Sequence, residues 1–508
     1  APTSSEPSDI IKQPQSKILT LLVMKFSRSL SLALSALFAA SATSIAQTPS
    51  ADDARRSLSI YQIMVASFQH ADDGAPGYTA MWGPDGECKN GNLRGVINSL
   101  DHIKDLGMNA IWLTPIFDSS KAEGGEKLQA TGYFTNNYFE IDPHFGTKQD
   151  LKELVDEAHK RNMYVFLDGV FGHHGGVTTP SPSGYTIDCT ITGNDRNPDD
   201  HGNVRYPQSL DYFKEVATWW IDNYDIDGWR LDQAYQACQN GHNYWLEIRG
   251  AVDSLCQKRA SEGKKWGTLG YMVGEDWGDA ATINKGVFKD GGLQSAFDFQ
   301  GKERISGPMQ KVDSPGLENG FADIVWALRS PRERGYLNDS VMPNLFQTNH
   351  DGYRLADHFD LKDPHYYEKQ MTRFAVLAAY NGPITLYYGD EFADRTLETT
   401  GGQPDNVART SGHLTPRNSG EAELQSYIAD IMAKRRSNPA MWRGKPEFQL
   451  TKVGDVSALV VRKTDEATGN EVLIVFADGD TTVPVHRYGG VDVDAWRPEV
   501  IVVKEPKF

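Results

Sequence analysis

The sequence predicts an α/β fold: an eight-stranded parallel (β/α)8 TIM barrel, a short subdomain inserted after strand three, and a small C-terminal antiparallel β domain. Three observations carry this reading. Short apolar runs alternate eight times with helix-period stretches between about Leu58 and Lys434. A segment rich in Pro, Gly, Asp and Asn with little periodicity interrupts them between His173 and Tyr206. After about Met441 the pattern shortens to strand-like runs separated by turn residues. A doubly wound open sheet is the alternative, but it wants a Gly-rich phosphate turn after the first strand, and none is there. At 508 residues the chain suits one large domain with attachments: a barrel over 47–440 including an insertion at 174–206, and a β domain over 441–508.

The first strand is predicted over Ser57–Val65. Leu93, Val96, Ile97, Leu100, Ile103 and Leu106 then recur at helical spacing, and Gly107 ends that helix. Met108–Pro115 is apolar on both faces, as a buried parallel strand should be. Thr147 and Asp150 form a capping box ahead of a helix whose apolar face carries Leu151, Leu154, Val155 and Ala158. Met163–Asp168 is the third strand, and Ile226–Asp232, Tyr271–Glu275, Leu293–Phe299, Val341–Asn349 and Ile384–Tyr388 follow, with helices over Tyr212–Tyr224 and Tyr366–Tyr380 among them. In the C-terminal region Val456–Val461, Val472–Phe476, Thr481–Val485 and Val500–Val503 read as strands.

Met24, Lys25 and Arg28 precede an apolar run from Leu30 to Ala40, and Ser44-Ile45-Ala46 offers small residues for cleavage before Gln47. Residues 24–46 therefore read as an export signal and 1–23 as an upstream extension, giving a secreted or periplasmic protein with no stable membrane anchor after processing. The formal net charge of −17 argues against nucleic acid, which selects basic faces, and favours a neutral or cationic ligand. Four cysteines, Cys88, Cys189, Cys238 and Cys256, suit one or two disulfides in an exported protein, with Cys238–Cys256 one of the pairings open to them. A monomer is expected.

Polar residues gather where the predicted strands finish: Asp168 after the third, Arg230 and Asp232 after the fourth, Glu275 after the fifth, and His350 with Asp351 after the seventh. In a barrel those ends share one face, so acids far apart in sequence converge there. Each acid alone is as well explained as a helix or loop cap; four at successive strand ends, flanked by Arg and His, are not. The stretches Asp168-Gly169-Val170-Phe171-Gly172-His173, Gly228-Trp229-Arg230-Leu231-Asp232, Gly274-Glu275 and Phe346-Gln347-Thr348-Asn349-His350-Asp351, in that order, resemble the four signature regions of the α-amylase superfamily, glycoside hydrolase family 13. The segment from Gly132-Tyr133 to Gly146-Thr147 and the run Tyr387-Tyr388-Gly389-Asp390-Glu391 resemble further family segments.

The resemblance implies a retaining glycosidase acting on an α-glucan or oligosaccharide, with a C-terminal β-sandwich. It implies Asp232 as nucleophile, Glu275 as general acid/base and Asp351 as stabiliser of the transition state. It implies that Tyr133 forms a platform beneath the sugar, that His173 and His350 hold its hydroxyls, and that Asp168 orients Arg230. Arg230 lies two residues before Asp232, so the two side chains share a strand face, and the cation should keep the nucleophile ionised. Trp277 reads as a core tryptophan that could otherwise exclude water. No cofactor is needed for the chemistry. The family's structural calcium commonly takes a side-chain oxygen where this chain has Gly172 and a backbone oxygen where it has Gln236 in place of His, so the usual site lacks a ligand. A loop at Asp72, Asp73 and Gly74 could hold a different calcium, although a solvated turn is the plainer reading. Transglucosylation, or action on sucrose or isomaltooligosaccharides, uses the same residues and is the alternative. A non-catalytic carbohydrate-binding relative would usually lack one of the three acids, and this chain has all three. The residue types of His173–Gly176 and of the loop Thr399–His413 do not choose among these substrates.

Overall fold

Each predicted apolar run supplies one strand of a parallel sheet in the computed structural model of this chain, which describes residues 50–82, 89–122, 124–176, 178–189, 204–306, 321–396 and 407–507. The predicted extension and export signal, Cys88, residues 177 and 190–203 of the insertion and residues 399–406 of the loop before His413 lie outside those residues. The strands are β1 (Ser59–Ile63), β2 (Ala110–Leu113), β3 (Tyr164–Gly169), β4 (Gly228–Leu231), β5 (Tyr271–Gly274), β6 (Ser295–Ala296), β7 (Leu345–Phe346) and β8 (Ile384–Tyr387). They pair in the order β6-β5-β4-β3-β2-β1-β8-β7. A parallel bridge between Phe297 and Asn344 joins the two ends, with Asn344 N donating to Ala296 O at 2.8 Å, and so closes the barrel. Trp112, Phe166, Tyr271, Phe297 and Phe346 fill its interior as a packed core.

The local signals act as the residues dictate. Helix α1 (Lys148–Lys160) begins at the Thr147–Asp150 capping box and buries Leu151, Leu154, Val155 and Ala158. The single helix predicted after β1 is two, Leu93–Asn98 and Leu100–Asp105. Ser99 stands at the break, its hydroxyl donating back to Gly95 O at 2.8 Å, a local bond that competes with the helical ladder. Helices α2 (Leu210–Tyr224), α3 (Trp245–Ser261), α4 (Tyr366–Ala379) and α5 (Ser419–Ser437) cover the outside. Among the described residues, no helix is long and apolar enough to cross a membrane.

The Cys238–Cys256 pairing does not form. The Cys238 thiol donates to Asn243 Oδ1 at 3.5 Å, while Cys256 is buried on α3 against Gly270. Both are free thiols, Cys238 ahead of α3 and Cys256 within it.

The C-terminal domain contains a four-stranded antiparallel sheet and a two-stranded ribbon. The sheet runs β9 (Lys445–Val453), β10 (Val456–Asp465), β11 (Asn470–Ala477) and β14 (Glu499–Lys504); the ribbon is β12 (Thr481–Val485) with β13 (Gly489–Val493). Val460, Leu473 and Val475 pack on Val483, Val485 and Val493 of the ribbon, as in a small sandwich. The other face of β11 joins the barrel core through Val472, Ile474 and Phe476, so the strand is buried on both faces. Lys463, wholly buried, donates to Ala379 O and to Asn381 Oδ1 at 2.7 Å, capping the carbonyl end of α4.

Candidate active site

The centre of the site is one buried guanidinium shared by three acids. On β4 the strand alternation points Arg230 to the same side as Asp232, immediately after the strand. Its Nη1 stands 2.9 and 3.0 Å from the two oxygens of Asp168, at the end of β3, and 2.9 Å from Asp232 Oδ1. Its Nη2 stands 3.0 Å from Glu275 Oε1, just past β5. Trp112 Nε1 and the Tyr133 hydroxyl donate to Asp168 Oδ2 at 3.1 and 3.0 Å, fixing the acid that fixes the arginine.

Withdrawal from water sets the protonation. Burial pushes Asp232 and Glu275 each up to about 7 and Asp168 up to about 6; Arg230 opposes this, and the neighbouring acids add to the rise at Asp232 and Glu275. One cation cannot satisfy three carboxylates, so the cluster holds a proton near neutrality that belongs to the group jointly. Arg230 contacts Asp232 as expected and favours its ionised form, against the burial that raises it.

Glu275 is further bound by Gln233, whose N–H donates to Oε2 at 2.9 Å, and by Trp277 Nε1, which donates to Oε1 at 2.9 Å. Gln233 reaches that position by adopting φ 40°, an uncommon left-handed conformation for a side-chain-bearing residue. Trp277 is not a core residue: it is 54% exposed and stacks on Phe299 at 4.7 Å, forming one wall of an open cavity of about 560 Å³ that Gln300, Glu303, Arg304 and Asp323 also line.

The third acid, Asp351, has its own cation. Arg409 Nη2 stands 2.9 Å from Asp351 Oδ1, and His350 Nε2 stands 3.2 Å from Oδ2. Burial works against its charge, but His350, Arg409 and Arg230 outweigh it and hold Asp351 below the ordinary carboxylate range. Gln62 on β1 donates to His350 Nδ1 at 2.7 Å, which leaves the ring proton on Nε2, 2.6 Å from the Tyr133 hydroxyl. Burial lowers His350 to about 3, so the ring is neutral. Tyr133 and His350 lie parallel, their centroids 5.3 Å apart. His173 Nε2 faces Asp232 Oδ2 at 3.6 Å.

All eight residues singled out in the sequence thus converge on one end of the barrel. Arg409, Gln62, Gln233 and Trp112 were not singled out. Arg409 lay inside the loop noted between Thr399 and His413, and no local pattern distinguished it. At the loop read as a solvated turn, Asn92 Nδ2 donates to Ala71 O and Ala75 O at 2.9 and 2.7 Å, so an amide organises the turn at Asp72–Gly74.

A family model for the alpha-amylase catalytic domain matches residues 62–181 and 200–443. A cyclomaltodextrinase from Geobacillus thermopakistaniensis is 30% identical over 76% of this chain and 61% of its own length. A maltogenic alpha-amylase from Bacillus acidopullulyticus is 27% identical over 80% of this chain, which spans 67% of that relative. The crystal structure of AmyP in complex with maltose matches with a TM-score of 0.74 and 32% identity, over 91% of this chain and 99% of that one. With an arginine-bridged set of acids at the strand ends and a matching model over most of its length, this chain belongs to the α-amylase family.

Proposed function

We propose that this chain is an exported retaining glycoside hydrolase that cleaves α-1,4 bonds of starch-like glucans or maltooligosaccharides. The observation that carries the reading is Arg230 touching Asp168, Asp232 and Glu275 at once, within a cluster that holds a proton near neutral pH. In this reading Glu275 gives its proton to the glycosidic oxygen as the bond to the anomeric carbon breaks. Asp232 Oδ2, the oxygen not tied to Arg230, bonds to that carbon and forms a β-glycosyl-enzyme. Water then attacks the same carbon, Glu275 takes its proton, and Asp232 leaves. Asp351, kept ionised by Arg409, faces the positive charge that develops on the ring. Neutral His350 binds one hydroxyl and His173 another, and Tyr133 supports the sugar face. The names of the relatives, a cyclomaltodextrinase and a maltogenic alpha-amylase, and the maltose in the AmyP crystal structure favour an α-linked glucan. The Met24–Ala46 pattern supports export.

The test is proton NMR of products from maltoheptaose, isomaltotriose and sucrose, with Asp232→Asn as control. Shorter α-1,4 oligosaccharides released first as α-anomers are expected. β-Anomers first would overturn the mechanism, and longer or newly linked products would make the enzyme a transglucosidase.

A further inference from the structure

The family resemblance calls for calcium between the loops that follow β3 and β4, and the residues present do not fit it. A Cβ at position 172 would stand 1.9 Å from Gln236 Oε1, so no ligating side chain can extend from there without displacing Gln236. The carbonyl of Gln236, the expected backbone ligand, already accepts a hydrogen bond from Gln239 Nε2 at 2.8 Å. The same nitrogen donates to Val204 O at 2.7 Å. A cation bound to both carbonyls at about 2.3–2.6 Å would occupy the space of that nitrogen.

We propose that Gln233, Gln236 and Gln239 form an amide brace that replaces a divalent cation in joining these loops, with Gln236 positioning His173. The connections run through the whole junction. Gln239 Oε1 accepts from Tyr206 N at 3.1 Å, and Val204 N donates to Gly172 O at 2.9 Å, so Gln239 ties the far end of the insertion to both loops. Gln236 Nε2 donates to Gln233 Oε1 at 3.1 Å, and the Gln233 N–H holds Glu275. Gln236 Oε1 faces His173 Nδ1 at 3.2 Å. Accepting that proton leaves His173 Nε2 as an acceptor toward a sugar hydroxyl beside Asp232. A neutral amide supplies donors where a cation supplies charge, and it adds no positive field to a site whose acids need raised proton affinity.

Hydrogen exchange of the full chain, followed by mass spectrometry in EGTA and in calcium chloride, tests the brace without any substrate. Peptides spanning 170–176 and 233–240 are expected to exchange identically in both, and about tenfold faster in Gln239→Met, which keeps length but removes the donors. Faster exchange of the wild type on chelation, or no change in Gln239→Met, would overturn the brace. The positioning of His173 rests on the proposed hydrolysis. Gln236→Met should raise KM for maltoheptaose about tenfold with kcat within threefold, because hydroxyl binding is lost. A fall in kcat at unchanged KM marks lost folded enzyme instead and would overturn that role. Identical exchange with no turnover by the wild type would sink the hydrolase reading and leave the brace standing.

Discussion

Asp298 and Asp232 both follow barrel strands, both are withdrawn from water and both face an arginine, yet their surroundings treat charge in opposite ways. Asp298, two residues past β6, has Arg334 to itself. Tyr336 and Tyr380 donate to its two oxygens at 2.7 and 2.8 Å, and Gly301 N donates at 2.8 Å. Burial works against its charge, but Arg334 and these donors outweigh it, and Asp298 is held below the ordinary range. Asp232 shares Arg230 with Asp168 and Glu275, and burial raises it to about 7. A buried ion pair with every lone pair satisfied is a clamp; one cation divided among three acids is a proton reservoir. Stability is therefore invested at Asp298 and given up at the site.

The comparison breaks most sharply on turnover. Asp232→Asn and Glu275→Gln should each lower the rate on maltoheptaose by at least ~10³-fold, since each deletes a chemical role while keeping side-chain volume. Near-normal rates in either purified variant would remove the site from the mechanism. Asp298→Asn should behave in reverse. It leaves Arg334 buried without a counter-ion, a loss of about 3–5 kcal/mol, with kcat of the folded enzyme retained. Calorimetry at pH 7 reads it as a fall in Tm of several degrees, and an unchanged Tm would show that Arg334 is satisfied without the acid.

The next effect is opposite in sign to that of Asp298→Asn. Glu275 has a folded value of about 7 against an ordinary 4.5, so the folded state binds its proton more tightly than the unfolded chain. Stability from this group is full below about 4.5 and is lost as pH rises through 7. The cost is largest above pH 7, and Gln, which does not titrate, avoids it. Glu275→Gln should therefore melt higher than the wild type at pH 8, with the gap closing toward pH 5. The same proton predicts that kcat/KM of the wild type falls above about pH 7. A variant that melts lower at pH 8 would mean that the acid is a clamp after all.

How far each cluster was legible follows from where its partners lie in the chain. Asp168, Arg230, Asp232, Glu275 and Asp351 carry local motifs at the ends of apolar runs, so strand pattern and chemistry coincide. Arg334 reaches Asp298 across 36 residues and Arg409 reaches Asp351 across 58, with nothing near either to announce a partner. Helices α3 and α5 escaped the periodicity because they bury Arg259, and Glu421 with Arg435, on faces that an apolar count leaves blank. Cys238 and Cys256 looked pairable because sequence distance says nothing about the helix between them. Gly172 and Gln236 were legible only as a departure. The contact explains it, since the glycine makes room for the glutamine side chain.

Trp277 gives the smallest effect and the finest test of the proton reservoir. Its Nε1–H donates to Glu275 Oε1 at 2.9 Å, a bond stronger to the carboxylate than to the acid, and so it pulls the Glu275 value down. Trp277→Phe keeps an aromatic ring against Phe299 and removes only that donor. The Glu275 value should then rise by about half a unit, moving the alkaline limb of kcat/KM to higher pH by the same amount, with rates at pH 6 within about threefold. Asp298 predicts what a clamp would do instead: taking one donor from a saturated carboxylate lowers Tm and leaves the pH profile where it was. A Trp277→Phe enzyme that loses stability without any shift of its alkaline limb would place Glu275 in the class of Asp298.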